Sequence, residues 1–127
     1  SSEVKQAAET LAGKVDGIFI PNDSVIQSAM TTVTEVARDK KIPVYGSSKA
    51  MVLSGAFATV AISDTKIGKL TAQMGLKYLK DGTAVKDIPS VVVPAEETVI
   101  NQNTLDALGV TVPDDIKNSA IIVNDAE

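Results

Sequence analysis

Three times within the first 62 residues, a short apolar run gives way to compact polar residues and then to a stretch with helical spacing. The runs are "VDGIFI" (15–20), "IPVYG" (42–46) and "AFATVAI" (56–62). Each is too short for a helix and carries branched or aromatic residues, which predicts a buried strand. Between the first two, Val25, Ile26, Ala29, Val33, Val36 and Ala37 share one face of a helix predicted over 24–38. Between the second and third, "SKAMVLSG" (48–55) predicts a short helix that stops at glycine. Strands that alternate with helices are joined by crossovers and therefore pair in parallel, and parallel strands need cover on both faces. The predicted fold is α/β, a parallel sheet within a three-layer αβα sandwich.

The rest of the chain extends this pattern. Ser2 is placed to cap a first helix whose Val4, Ala7, Ala8 and Leu11 recur at helical spacing before Gly13. Ser63 or Asp64 is placed to cap a long helix over 64–81, with Ile67, Leu70, Thr71, Met74 and Tyr78 as its stripe and Gly82 as its stop. "PSVVVP" (89–94) predicts a fourth strand between prolines, "NQNTLDALG" (101–109) a short capped helix, and "VPDDIKNSA" (112–120) another with Pro113 near its start. Residues 80–89 are loop-like but too short for a domain linker, and 127 residues suffice for one domain with a real core. The opening "SSEVKQ" looks like the start of a helix rather than a leader, so the chain is expected to begin inside something larger.

Composition then removes whole classes of chemistry. Without histidine there is no Ser-His triad and no imidazole metal site, and without cysteine there is no disulfide, thiol nucleophile or thiolate ligand. A formal net charge of −4 argues against a nucleic-acid partner, which requires a basic face. The longest apolar stretches fall well short of a membrane span. Glycine-rich phosphate loops are absent. Ser47 and Ser48 lie near Lys49, but adjacency alone is weak grounds for a Ser-Lys nucleophile, and Glu96 and Glu97 point apart if they share a strand. The chain is not expected to be an enzyme, and neither a cofactor nor a metal is expected.

The polar residues at the strand ends are the candidate site. In an open parallel sheet, ligands bind beyond the carboxyl ends of the strands. Asn22 and Asp23 follow the first strand, Ser47 and Ser48 the second, and Ser63 and Asp64 the third. Each pair precedes a predicted helix, so capping explains one residue of each. Two in succession, repeated at three strand ends, suit a polar wall for a small polar or zwitterionic ligand. An aspartate in such a wall is the natural partner of an ammonium group.

Taken in order, "VDGIFIPNDSVIQSA", "KKIPVYGSSKAMVLSGAFATVAISDTKIGKLTAQMGLKYLKDG" and "IPSVVVPAEETVINQNTLDALGVTVPDDI" resemble the second half of the periplasmic-binding-protein-like substrate-binding proteins of bacterial ABC transporters. The group they most resemble includes binders of aromatic amino acids such as tryptophan. The resemblance implies one lobe of a two-lobed, hinged type I fold, with the ligand held between lobes. By resemblance, residues 1–62 and 88–95 form the core of the second lobe. Residues 63–87 make a hinge crossing and a helix that packs on the other lobe, and 96–127 form a C-terminal tail. It also implies Asn22, Asp23, Ser47, Ser48 and Asp64 as ligand-binding residues, an ABC permease as partner of the full-length protein, and an extracytoplasmic location, either periplasmic or as a cell-surface lipoprotein. The expected ligand is an amino acid, with Asp23 on its amino group and Asn22 and the serines on its carboxylate. Sugar-binding relatives are the alternative, although they often carry an acid where this chain has Ser48. A flavodoxin-like signalling domain is a further one, for which "PND" is only a partial match. With the other lobe missing, the stripe of the 64–81 helix has no cover, so a homodimer formed by segment exchange is expected.

Overall fold

The structure is a computed structural model and describes residues 2–126. Contacts divide the chain into two units, one made of residues up to Ala61 together with Glu97 onward, the other of Ile62–Glu96.

The first unit is a five-stranded sheet in the order β1 (Ile18–Ile20), β2 (Val44–Gly46), β3 (Ala58–Ala61), β4 (Glu97–Asn101), β5 (Ile121–Val123). β1, β2 and β3 pair in parallel, as the alternation predicts. β3 and β4 run antiparallel, and β4 and β5 run parallel, so the sheet is mixed rather than wholly parallel. The fourth strand is not at 89–94, where the sequence predicts it. Pro89 and Pro94 cannot donate to a ladder, Val92 is 90% exposed, and no strand forms there. The ladder instead uses "ETVIN", which alternates as a strand with one buried face should and carries no proline. Within the segment 96–127 expected as a tail, Glu97–Asn101 and Ile121–Val123 are strands of the sheet, and 88–95 group with Ile62–Glu96.

Helices α1 (Ser2–Ala12), α3 (Met30–Asp39) and α4 (Lys49–Leu53) bury one face of the sheet. Ser2 lies inside α1 rather than capping it. The predicted helix 24–38 is interrupted at Ala29, which separates α2 (Ser24–Ser28) from α3. Ser28 Oγ donates back to Ser24 O at 2.7 Å, a bond that competes with the helical pattern and bends it. The core on this face joins Ile18, Ile20, Val44 and Val99 of the sheet to Met30, Val33, Met51 and Val52 of the helices. Met51, Val52 and Val99 are fully buried. Gly46 closes β2 where nothing larger fits: a Cβ there would stand 2.7 Å from Met51 Cβ.

The other face is only partly covered. α6 (Gln102–Leu108) packs Leu105 and Leu108 against Phe57 and Ile100, and Val112 and Ala120, which flank α7 (Asp114–Ser119), join them. Over β1 and β2 the residues pointing this way, Phe19 and Tyr45, are exposed.

The second unit holds α5 (Asp64–Leu79), a 3-10 turn at Val85–Asp87 and extended chain. Ser63 caps α5 by accepting from Lys66 N at 3.4 Å. Lys66 Nζ reaches Glu96 at 2.9 Å, tying the two ends of the unit together. α5 buries no side chain; Leu70 and Met74 are half-buried, while Ile67 and Tyr78 of the predicted stripe are exposed.

Candidate functional site

Parallel pairing of β1 with β2, registered through Ile20 and Gly46, brings two of the predicted polar pairs to the same edge. Asn22 and Asp23 leave β1 and Ser47 and Ser48 leave β2, at the carboxyl ends of strands that lie about 4.8 Å apart. Asp64 follows β3 in sequence but opens α5 in the second unit.

Each loop has its own geometry. Asp23 is the N-cap of α2, extended at φ −142°, ψ 127°. A single carboxylate oxygen, Oδ1, accepts from Val25 N at 2.9 Å and from Ile26 N at 3.0 Å. Oδ2 has no hydrogen-bond partner among the described residues, and the side chain is exposed. Asn22 beside it is exposed as well. The cap therefore uses half of the acceptor capacity of Asp23 and leaves an anionic oxygen facing solvent.

Ser48 is the N-cap of α4 and accepts from Met51 N at 3.4 Å, a long bond that binds its hydroxyl only weakly. Ser47 Oγ lies 3.7 Å from Met51 Sδ and donates to it, so its lone pairs remain free. Both serines are half-buried. Met51, at 0% exposure, accepts from Ser47 Oγ through Sδ, donates its backbone N–H to Ser48 Oγ and fills the space where a Cβ on Gly46 would lie, so one core residue ties the second loop to the core. This wall offers hydroxyl and amide groups and one carboxylate. The serine hydroxyls bond Met51 in both cases, and among the described residues no group of three or more acidic side chains is placed to hold a metal ion.

A second polar cluster, at the opposite edge, was not legible in sequence. Asn101 is fully buried; its Nδ2 donates to Val52 O and to Asp125 Oδ1, each at 2.8 Å, and its Oδ1 accepts from Thr104 N at 3.0 Å. Arg38 donates to both oxygens of Asp125, at 2.9 and 2.7 Å, and to Thr104 Oγ1. The Arg38 guanidinium holds the Asp125 carboxyl below the usual carboxylate range, assisted by the Asn101 bond and opposed by partial burial. Arg38, Asn101 and Asp125 are too far apart in sequence for any spacing to have joined them; only the helix-capping role of Asn101 was visible.

Over residues 1–124 the chain matches the model of the ABC transporter substrate binding protein family. It belongs to that family. The relatives with solved structures share the fold. A ligand-free, open substrate-binding protein with adhesive properties from Clostridium difficile superposes with a TM-score of 0.80 at 31% identity, over 98% of this chain and 41% of that one. An ABC domain from Streptococcus pneumoniae, in complex with L-Trp, gives 0.84 at 31% identity, over 96% and 41%. A tyrosine-binding protein of Clostridioides difficile (strain R20291) is 40% identical over 108 residues, which are 85% of this chain and 31% of that protein. The chain thus spans about a third to two fifths of the family members it matches, and the α/β fold observed is one lobe of their architecture. No helix among the described residues is long and apolar enough to cross a membrane.

Proposed function

We propose that this chain forms one wall of the binding cleft in a substrate-binding protein that captures an amino acid, of the aromatic class, for an ABC importer. The observation that carries the reading is the division of labour within the Asp23 carboxylate. Oδ1 takes both capping hydrogen bonds, and Oδ2 stays open at the carboxyl edge of the sheet, where an α-ammonium group would meet it. Asn22 and Ser48, whose hydroxyl only accepts in its cap bond, supply neutral donors beside it for a carboxylate, and Ser47 joins them by turning its O–H from Met51 Sδ to the ligand. Asp64 opens the segment that continues toward the rest of the protein and is proposed as a contributor from the hinge. The relatives named for tyrosine and bound to L-Trp support this ligand class.

Asn22 and Asp23 are exposed and the serines only half-buried, so this wall holds a small molecule only when a second wall closes on it, as hinged two-lobed binders do. That wall, the permease that receives the ligand and an extracytoplasmic location belong to the full-length protein and are part of the proposal. So is the role of Ile62–Glu96 as a segment that packs on the other lobe, consistent with a helix that buries no side chain in its own unit.

Two substitutions in the full-length protein separate capping from binding. Asp23→Asn keeps an Oδ1 acceptor for α2 and removes the charge; Asp23→Ala removes both. Titration calorimetry with L-tyrosine and L-tryptophan is expected to show both variants weakened about tenfold or more, while only Asp23→Ala loses about 1 kcal/mol of stability. Wild-type affinity in Asp23→Asn would reduce the residue to a helix cap.

A further inference from the structure

Ser48 caps α4, a helix of only five residues. That is about 7 Å of helix, too little to hold its shape alone, so its position comes from its contacts. The end nearer the ligand wall is held loosely: Met51 N donates to Ser48 Oγ at 3.4 Å and Val52 N to Ser48 O at 3.4 Å. The other end is held firmly. Its last carbonyls, the groups a helix C-terminus leaves without helical donors, each accept from a distant part of the chain. Val52 O accepts from Asn101 Nδ2 of β4 at 2.8 Å, beside Gly55 N at 3.0 Å. Leu53 O accepts from Ala126 N at 2.8 Å. Ser54 O accepts from Thr34 Oγ1 of α3 at 3.0 Å. Gly55 O accepts from Thr104 Oγ1 of α6 at 2.8 Å and from Arg38 at 3.3 Å. The Arg38 guanidinium joins these contacts, since it also donates to Thr104 Oγ1 and to both oxygens of Asp125, the residue before Ala126. Glycine permits the close approach: φ at Gly55 is +99°, and a Cβ there would stand 2.7 Å from Thr34 Oγ1 and 2.9 Å from Arg38 Nη2.

We propose that Arg38 and Asp125 are positioning residues for the ligand wall: from the amino edge of the sheet they fix the C-terminal end of α4, and through it the Ser47 and Ser48 hydroxyls at the carboxyl edge. This role rests on the reading of both serines as ligand contacts. A short helix anchored at one end and loosely tied at the other carries a shift of the anchor to its free end, and a binding group displaced by about 1 Å loses its hydrogen bond. The planar fork of arginine suits the node, because it reaches the carboxylate, the Thr104 hydroxyl and the Gly55 carbonyl together, which a lysine ammonium would not. Asp23 lies outside this path. It caps α2, which buries no side chain and is separated from α3 by the break at Ala29.

In the full-length protein, Arg38→Met keeps the aliphatic stem and removes every donor, and Asp125→Ala takes its place should that variant fail to fold. Val4→Ala, in α1, is the control for stability lost elsewhere in the core. Calorimetry with L-tyrosine and L-tryptophan, well below the melting temperature, is expected to show affinity about fivefold weaker in Arg38→Met and unchanged in Val4→Ala. In a Ser47→Ala/Ser48→Ala background, Arg38→Met should add less than about a twofold loss, while in an Asp23→Asn background its effect should stay about fivefold. Without ligand, hydrogen exchange at the Met51 amide should be about tenfold faster in Arg38→Met than in Val4→Ala, with the Val25 and Ile26 amides that bond Asp23 unchanged. Affinity within about twofold of wild type in a folded variant would overturn the proposal. So would an affinity loss undiminished when the serines are gone, or Met51 exchange no faster than in Val4→Ala. Should the wild-type protein bind neither amino acid, the ligand reading falls by itself, and the exchange measurement alone decides whether Arg38 and Asp125 position the loop.

Discussion

The two edges of this sheet carry similar polar residues in opposite circumstances. At the amino edge of the parallel strands, Asn101 is fully buried and all three of its hydrogen bonds close within the protein, to Val52 O, Asp125 Oδ1 and Thr104 N. At the carboxyl edge, Asp23 and Asn22 stand in solvent, and Oδ2 of Asp23 is not used by the cap. A polar side chain whose bonding capacity is exhausted internally is structure. One whose capacity is half spent is available to a ligand. The comparison ranks these residues more sharply than their identities do, because asparagine, aspartate and threonine or serine occur at both edges.

The largest effect expected lies at the amino edge. Asn101→Ala strands the Thr104 amide in the core, removes the side-chain bonds to Asp125 and to the Val52 carbonyl (which keeps Gly55 N), and should cost about 3 kcal/mol of stability, read by urea denaturation of the full-length protein. A loss below about 1 kcal/mol would erase the distinction between the two edges. Next comes Gly46→Ala. Its Cβ would lie 2.7 Å from Met51 Cβ and 3.3 Å from Sδ, so β2 or α4 must shift, at about 2 kcal/mol. Because Met51 touches both Ser47 and Ser48, ligand affinity should fall with it; an unchanged melting temperature would show that the contact relaxes freely.

Asp23→Asn tests the other side of the comparison, with about a tenfold loss in affinity for L-tyrosine or L-tryptophan and stability within about 0.5 kcal/mol of the original. A smaller effect is set by pH. The Asp125 carboxyl is depressed below its ordinary range in the folded state, chiefly by its hydrogen bonds from Arg38. Its contribution is therefore present above the ordinary carboxylate range and is lost as pH falls through the depressed value. Side-chain exposures of 23% and 38% keep the pair partly screened, so the contribution is about 1 kcal/mol. Asp125→Asn should remove that part of the acid dependence; an identical stability-against-pH curve would contradict the assignment. The smallest effect belongs to Ser48→Ala, about 0.5 kcal/mol, since its capping bond is already 3.4 Å long.

Local pattern alone determined the parallel half of the sheet, the helices between its strands, and the placement of Asn22, Asp23, Ser47 and Ser48 at one edge. Apolar period and capping residues act over a few positions, and the βα alternation leaves little topological freedom. The family's motifs, also legible in order along the chain, gave the fold its name. What tertiary structure decided were choices among segments of similar local appeal. "PSVVVP" is more apolar than "ETVIN", yet the latter is the strand, because a ladder needs unobstructed amides and a neighbouring edge, and prolines deny the first. The antiparallel entry of β4, the addition of β5 and the meeting of Arg38 with Asp125 all depend on residues brought together from distant parts of the chain, and no short-range spacing encodes them. Which polar residues are satisfied and which remain open is settled at the same level, since satisfaction depends on the partners that folding places within hydrogen-bond reach.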